Sequence, residues 1–173
     1  MSDPQPIPPT DQPKFYVMVG VPGSGKTTFA RRYLPNALRI SLDDLRLMFC
    51  GQTFDPRIEP AVAVAADALI ESLASQAMKL KRDLLFDATN VSRSRRAAAI
   101  AAARRHGLSP IAVYVETPLT TAHQRNQGRP VPVPTEVVNR FGEHLEPPSL
   151  AEGFDKIIRV NGMTGKINGL DHE

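Results

Sequence analysis

Gly20-Val21-Pro22-Gly23-Ser24-Gly25-Lys26-Thr27 has the spacing of a phosphate cradle: Gly, four residues, Gly, Lys, then Ser or Thr. The glycines at 20, 23 and 25 let backbone N–H groups turn inward around an anion. A helix that starts there adds its partial positive charge. Lys26 has the reach for β- and γ-phosphates, and the Thr27 hydroxyl is a ligand for Mg²⁺. Pro22, Ser24 and Thr28 complete the predicted nucleotide-contacting set around the loop.

Further groups suit phosphoryl transfer. Asp43 and Asp44 stand where a predicted strand ends and a helix begins, and sites in open α/β sheets gather at such ends. A carboxylate facing the γ-phosphate could take a proton from an attacking hydroxyl. Arg46, one helical turn on, could grip an anionic acceptor. Asp87 closes the apolar run Leu84-Leu85-Phe86, the usual place for an acid that organises Mg²⁺. Arg125 and Arg129 flank Asn126-Gln127-Gly128 beside a Pro-rich stretch, and a lid arginine there would stabilise charge on the transferred group. Asp44 reads as a helix-start acid. The arginines at 93, 95, 96, 104 and 105 are either an ordinary solvated helix face or a nucleic-acid track. The histidines at 106, 123, 144 and 172 have no metal-ligand spacing, and Cys50 reads as an inert apolar residue.

The elements that must hold these groups alternate. Strands are predicted over 15–19, 37–41, 84–87, 110–115 and 156–160. Helices are predicted from Thr28, from Asp43, from Pro56 to about Lys81, from Arg93 to about His106, after Thr117-Pro118 and after Thr135. The long helix carries Ile58, Val62, Ala65, Leu69, Leu73, Ala77 and Leu80 at three- and four-residue steps, an apolar stripe. Ser92, Thr117 and Thr135 are expected to cap the helices they precede. The alternation predicts a mainly parallel five-stranded sheet with helices on both faces. Residues 1–13 read as a disordered Pro-rich tail, 14–160 as one domain with a lid near 125–150, and 161–173 as a flexible tail.

The chain has 173 residues, 42% hydrophobic, with a net charge of +3, which suits one domain with a sizeable core and permits a phosphate-rich partner. No uninterrupted apolar run reaches membrane-spanning length and no basic-then-apolar leader opens the sequence, so no membrane and a cytoplasmic location are expected.

The ordered set Gly-Val-Pro-Gly-Ser-Gly-Lys-Thr at 20–27, Asp-Asp-Leu-Arg at 43–46, Asp-Ala-Thr-Asn at 87–90, Arg-Asn-Gln-Gly-Arg at 125–129 and Glu-Gly-Phe-Asp at 152–155 resembles the kinase module of 5′-polynucleotide kinases. It also resembles the wider P-loop kinases with an adenylate-kinase-like core. The resemblance implies a P-loop NTPase fold, ATP and Mg²⁺. It implies Lys26 and Thr27 on the phosphates and metal, Asp43 as general base, Arg46 on the phosphate beside the acceptor hydroxyl, Asp87 supporting the phosphate site, and Arg129 as lid arginine. Leu42 departs from the basic residue that some polynucleotide kinases carry there. The expected activity is ATP-dependent transfer to a hydroxyl, first the 5′-OH end of DNA or RNA. Alternatives are a small-molecule acceptor (sugar, nucleoside or antibiotic) and a nucleotide-dependent switch or binding module. With no phosphatase or ligase module in the sequence, such a partner is expected to be separate.

Overall fold

The structure is a computed structural model that describes residues 6–7, 12–51 and 55–172. Most of the predicted Pro-rich tail lies outside the described residues. Within it, Ile7 donates its N–H to the Tyr33 carbonyl (2.9 Å) and packs near Tyr33 and Leu34.

Six strands form one sheet: β1 (Lys14–Val19), β2 (Leu38–Ser41), β3 (Leu84–Asp87), β4 (Ser109–Glu116), β5 (Lys156–Asn161) and β6 (Lys166–His172). Their order is β2-β3-β1-β4-β5-β6, and all neighbours run parallel except β5 and β6. β1 is central, with Tyr16 opposite Leu85 on one side and Ile111 on the other. Its alternate side chains fill two cores, as a strand buried on both faces requires. Phe15, Val17 and Val19 meet Leu84, Phe86 and Ala112 beneath α3 (Glu59–Leu80) and α4 (Arg93–Arg105). Tyr16 and Met18 meet Leu85, Val113 and Val160 beneath Phe29 and Tyr33 of α1 (Lys26–Tyr33).

The sequence expectation of five strands and a flexible tail is corrected by β6. Its glycines and its exposed Ile167 and Leu170 disguise a strand that buries little. Cross-strand charge ties it down instead: Arg159 on β5 donates to Asp171 (2.9 and 3.0 Å) and to Glu116 on β4 (3.3 Å). The connecting turn is shaped by the Asn161 side chain, which accepts from the N–H groups of Met163 (2.9 Å) and Thr164 (3.2 Å).

α3 begins at Glu59 rather than Pro56, with Pro60 in its first turn. Its buried face is Val62, Ala66, Ile70, Ala74 and Ala77, while Leu69 and Leu80 of the expected stripe are exposed. Apolar residues on several faces satisfy the helical spacing twice, and tertiary packing chooses between them. By length and composition α3 is apolar enough to cross a membrane, although Asp67 and Glu71 interrupt its apolar run. Here it packs on the sheet, with Asp67 paired to Arg95 (3.1 Å) and Glu71 paired to Arg105 and His106.

Four of the α4 arginines are paired with acids of the domain. Arg95 joins Asp67 and lies over the Phe86 ring, and Arg104 joins Asp155 (2.5 Å). Arg96 is fully buried. It makes a two-bond pair with Glu152 (2.7 and 2.8 Å) and donates to the carbonyls of Asn90, Val91 and Glu146. Arg96 thus ties the segment with Glu146 and Glu152 to α4 and to the loop after β3. Ser92 caps α4 as expected, accepting from the Arg95 N–H. The caps expected from Thr117 and Thr135 are corrected: Pro118 and Pro134 take the cap positions of α5 (Leu119–Gln127) and α6 (Thr135–Glu143) with no side-chain bond.

Candidate active site

β1 delivers the chain into the loop at Gly20, whose N–H donates to the Thr89 carbonyl (3.0 Å). Gly23 has φ +79 and lies so close to Ala122 of α5 that a Cβ would strike its carbonyl. α1 starts at Lys26, earlier than the expected Thr28, with Gly25 at the cap position. No side chain caps it and no acid lies in its first turn, so its N–H groups and positive end are free for an anion. Gly162, in the β5–β6 turn, closes the loop from the other side. A Cβ there would collide with Thr117 and lie 2.9 Å from the Ser24 carbonyl. Thr117, in place of its expected cap, donates its hydroxyl to that same carbonyl (2.9 Å).

Lys26 is buried and bends over its own loop, donating to the carbonyls of Gly20 (2.9 Å) and Val21 (2.8 Å) and to Ser24 Oγ (3.4 Å). Burial pushes its ammonium down to about 8. Asp87 and Asp43 pull it back up, and Arg129 adds to the lowering. These four charges thus share one electrostatic neighbourhood.

The Thr27 hydroxyl donates to Asp87 Oδ2 (3.0 Å). The same oxygen accepts from Arg39 Nε (3.0 Å) and Nη2 (2.8 Å). Arg39 went unnoticed in the sequence; its only signal is a lone charge inside an apolar strand. It also donates to Asp44 (2.6 Å), so Asp44 is tied to β2 as well as standing in the first turn of α2 (Leu42–Cys50). Thr27 and Asp87 put hard oxygen donors side by side, which fits Mg²⁺. No group of three or more His, Cys, Asp or Glu among the described residues offers a metal cage. The remaining ligands would be phosphate oxygens and water, as Mg²⁺ prefers.

Asp43 stands between two guanidiniums. Its Oδ1 accepts from Arg46 Nη1 (2.7 Å) and its Oδ2 from Arg129 Nη2 (2.8 Å). Arg129 is held by a bracket that the sequence did not reveal. The buried Asn126 accepts from Val133 N (3.0 Å) and donates to Val133 O (2.7 Å), pinning the Pro-rich link between α5 and α6. Arg46 has a second partner, Glu59, which takes its Nε (2.8 Å) and Nη2 (2.9 Å) on separate oxygens. On the opposite side of the loop, Arg125 donates to the carbonyls of Gly162 (2.7 Å) and Ser24 (3.4 Å). With Thr28, Phe29, Tyr33 and Thr164 it lines a cavity of about 330 Å³ open to the loop. Cys50 is partly buried, its thiol directed to the Arg46 carbonyl (3.2 Å).

Among solved structures, a chain of a Pnkp1/Rnl/Hen1 complex is 28% identical, with a TM-score of 0.55; the match covers 66% of this chain and 39% of that one. This chain therefore spans about two-fifths of that protein's length. Chaetomium thermophilum Kti12 in complex with ADP-AlF3 is 19% identical, covering 85% and 88% at a TM-score of 0.64. A gluconokinase from Sinorhizobium meliloti is 21% identical, covering 86% and 82% at 0.55. The last two show a shared fold. A search of curated proteins gives no match. The AAA_33 family profile, an AAA domain, matches residues 15–148, a span that runs from β1 through α6, and the chain belongs to that family, a P-loop kinase-like domain.

Proposed function

We propose that this domain transfers the γ-phosphoryl group of ATP to a hydroxyl, first the 5′-OH end of a polynucleotide. The observation that carries the reading is Asp43, an acid between two arginines and within electrostatic reach of the loop lysine. In this reading the acceptor oxygen bonds to the γ-phosphorus as its proton passes to the Asp43 carboxylate. The bond from that phosphorus to the β–γ bridging oxygen breaks, and ADP leaves with the electron pair. Lys26 balances charge on the donor phosphates. Arg129 has guanidinium N–H groups beyond the one given to Asp43, and these serve the transferred group. Thr27 and Asp87 would hold Mg²⁺, which when bound neutralises charge across the β- and γ-phosphates. Arg125 and the cavity beside it receive the rest of the nucleotide.

The likeness to a chain of the Pnkp1 complex supports the polynucleotide acceptor, and a separate ligase or phosphatase partner goes with it. A small-molecule acceptor is the second reading, favoured by Glu59, which already occupies Arg46. Labelled γ-phosphate offered with 5′-OH oligonucleotides, nucleosides and sugars separates the two. We expect label on the oligonucleotide end. Label on a sugar alone would reject the polynucleotide reading, and no label on any of these acceptors, with ATP still bound, would leave an acceptor outside the panel or the nucleotide-dependent switch.

Lys26 also gives a pH signature. Its folded value of about 8 lies below an ordinary lysine's 10.5, so the folded chain holds fewer protons than the unfolded one between those values. Stability contributed by this group rises with pH through that window. Bound phosphates favour the charged form, so ADP binding near pH 8 takes up protons and weakens as pH rises to 9. Titration heats in two buffers of different ionisation enthalpy measure the uptake; identical heats would contradict it.

A further inference from the structure

We infer that Glu59 is a specificity-determining residue of the acceptor site: an internal anion in the place where Arg46 would receive an acceptor phosphate. The inference rests on the kinase reading above. Arg46 has five N–H donors. Two go to the separate oxygens of Glu59 at 2.8 and 2.9 Å, and one goes to Asp43 at 2.7 Å. That two-bond contact is the fork geometry by which a guanidinium holds either a carboxylate or a phosphate. The fork formed by Nε and Nη2 is thus already filled by a carboxylate of this chain, and of the five donors one on Nη1 and one on Nη2 remain.

The pair is built rather than casual. The Arg46 side chain is 15% exposed and that of Glu59 30%, so both are largely withdrawn from water yet open at one side. Glu59 is the first residue of α3, where the helix end favours a negative charge. Arg46 lies one turn beyond Asp43 on α2, so a phosphate next to an acceptor hydroxyl at Asp43 meets Arg46. To take that two-bond fork it must displace Glu59, whose carboxylate must then be rehydrated, and on the remaining donors it would lie beside the Glu59 charge. An acceptor with no neighbouring anion leaves the pair intact. Glu59 therefore penalises phosphate-bearing acceptors and spares neutral ones.

The test compares wild type with Glu59→Gln and Glu59→Asp. The Asp variant keeps negative charge at the helix start but withdraws it from the fork. Two 5′-OH acceptors are used, thymidine and thymidine 3′-monophosphate. In both variants the ratio of kcat/KM for the phosphate-bearing over the neutral acceptor should rise about tenfold, the worth of one charge-assisted hydrogen bond. A purely structural tie between α2 and α3 would lower both acceptors together and leave the ratio where it is, which would overturn the inference.

A second readout does not need turnover. With the loop filled by Mg²⁺ and a non-hydrolysable ATP analogue, inorganic phosphate is titrated while the Arg46 Nε–H resonance is followed, assigned by its loss in Arg46→Lys. Saturation at about tenfold lower phosphate in Glu59→Gln supports the inference. Equal saturation, or no response in either protein, overturns it. If wild type phosphorylates neither of these acceptors, the nucleoside and polynucleotide reading fails while the titration still decides the role of Glu59.

Discussion

Asp43→Asn is expected to lower phosphoryl transfer by about 10²–10⁴-fold, the usual worth of a positioned proton acceptor. The amide keeps the shape and stays at the start of α2, so the fold has no reason to change. It can still accept from one arginine through its oxygen. Its NH₂ group, however, faces the other guanidinium, since Arg46 and Arg129 approach different oxygens of the carboxylate. Loss of transfer should therefore come without loss of nucleotide affinity, because the hydrogen bonds of Lys26, Thr27 and Arg125 near the loop do not involve Asp43 and the variant removes a negative charge near the phosphates. Single-turnover transfer and ADP titration, measured on the same protein, separate the two. Full transfer activity in the variant would remove Asp43 from the role of base.

The largest stability effect is expected far from the phosphates, at Arg96→Met. Arg96 is completely buried and its partner Glu152 has a side chain only 8% exposed. Truncating one member of such a pair leaves a buried charge unmatched and costs about 3–5 kcal/mol. The carbonyls of Asn90, Val91 and Glu146 lose a donor at the same time. A domain of this kind holds about 5–15 kcal/mol in total, so this single change approaches the threshold of unfolding. Denaturant unfolding should show the loss. Adding Glu152→Gln to Arg96→Met should recover part of it, because the stranded charge is removed. A loss under about 1 kcal/mol would mean that the pair adds little beyond the packing of its stems.

Comparison of these two sites shows what sequence can carry. Asp43 was legible because its meaning is local: an acid at the end of an apolar strand, with an arginine one helical turn on. The loop at 20–27 is legible for the same reason, since its glycines, lysine and threonine act within eight consecutive residues. Arg96 is not legible, because its carboxylate partner lies 56 residues away and only the fold brings them together. Arg39, 48 residues from Asp87, and the bracket from Asn126 to Val133 escaped in the same way. α3 is a different failure. Its periodicity named the helix but not the buried face, because two apolar stripes obey one spacing. β6 escaped because a strand held by charge pairs and one neighbour carries little of the apolar signal that marks β1, β3 and β4.

The sheet order has a consequence for how the chain is made. β1 is synthesised first, yet both of its partners, β3 and β4, come from residues 84–87 and 109–116. The loop that follows β1 is then closed by Thr89, Thr117 and Gly162. Contacts of such sequence separation form late, after the entropy of closing long loops has been overcome. A chain emerging from the ribosome thus carries residues 20–27 without the full set of walls around them until the β5–β6 turn has been made. A nucleotide bound there would stabilise only the finished domain, by mass action on a cradle whose walls come from segments more than a hundred residues apart.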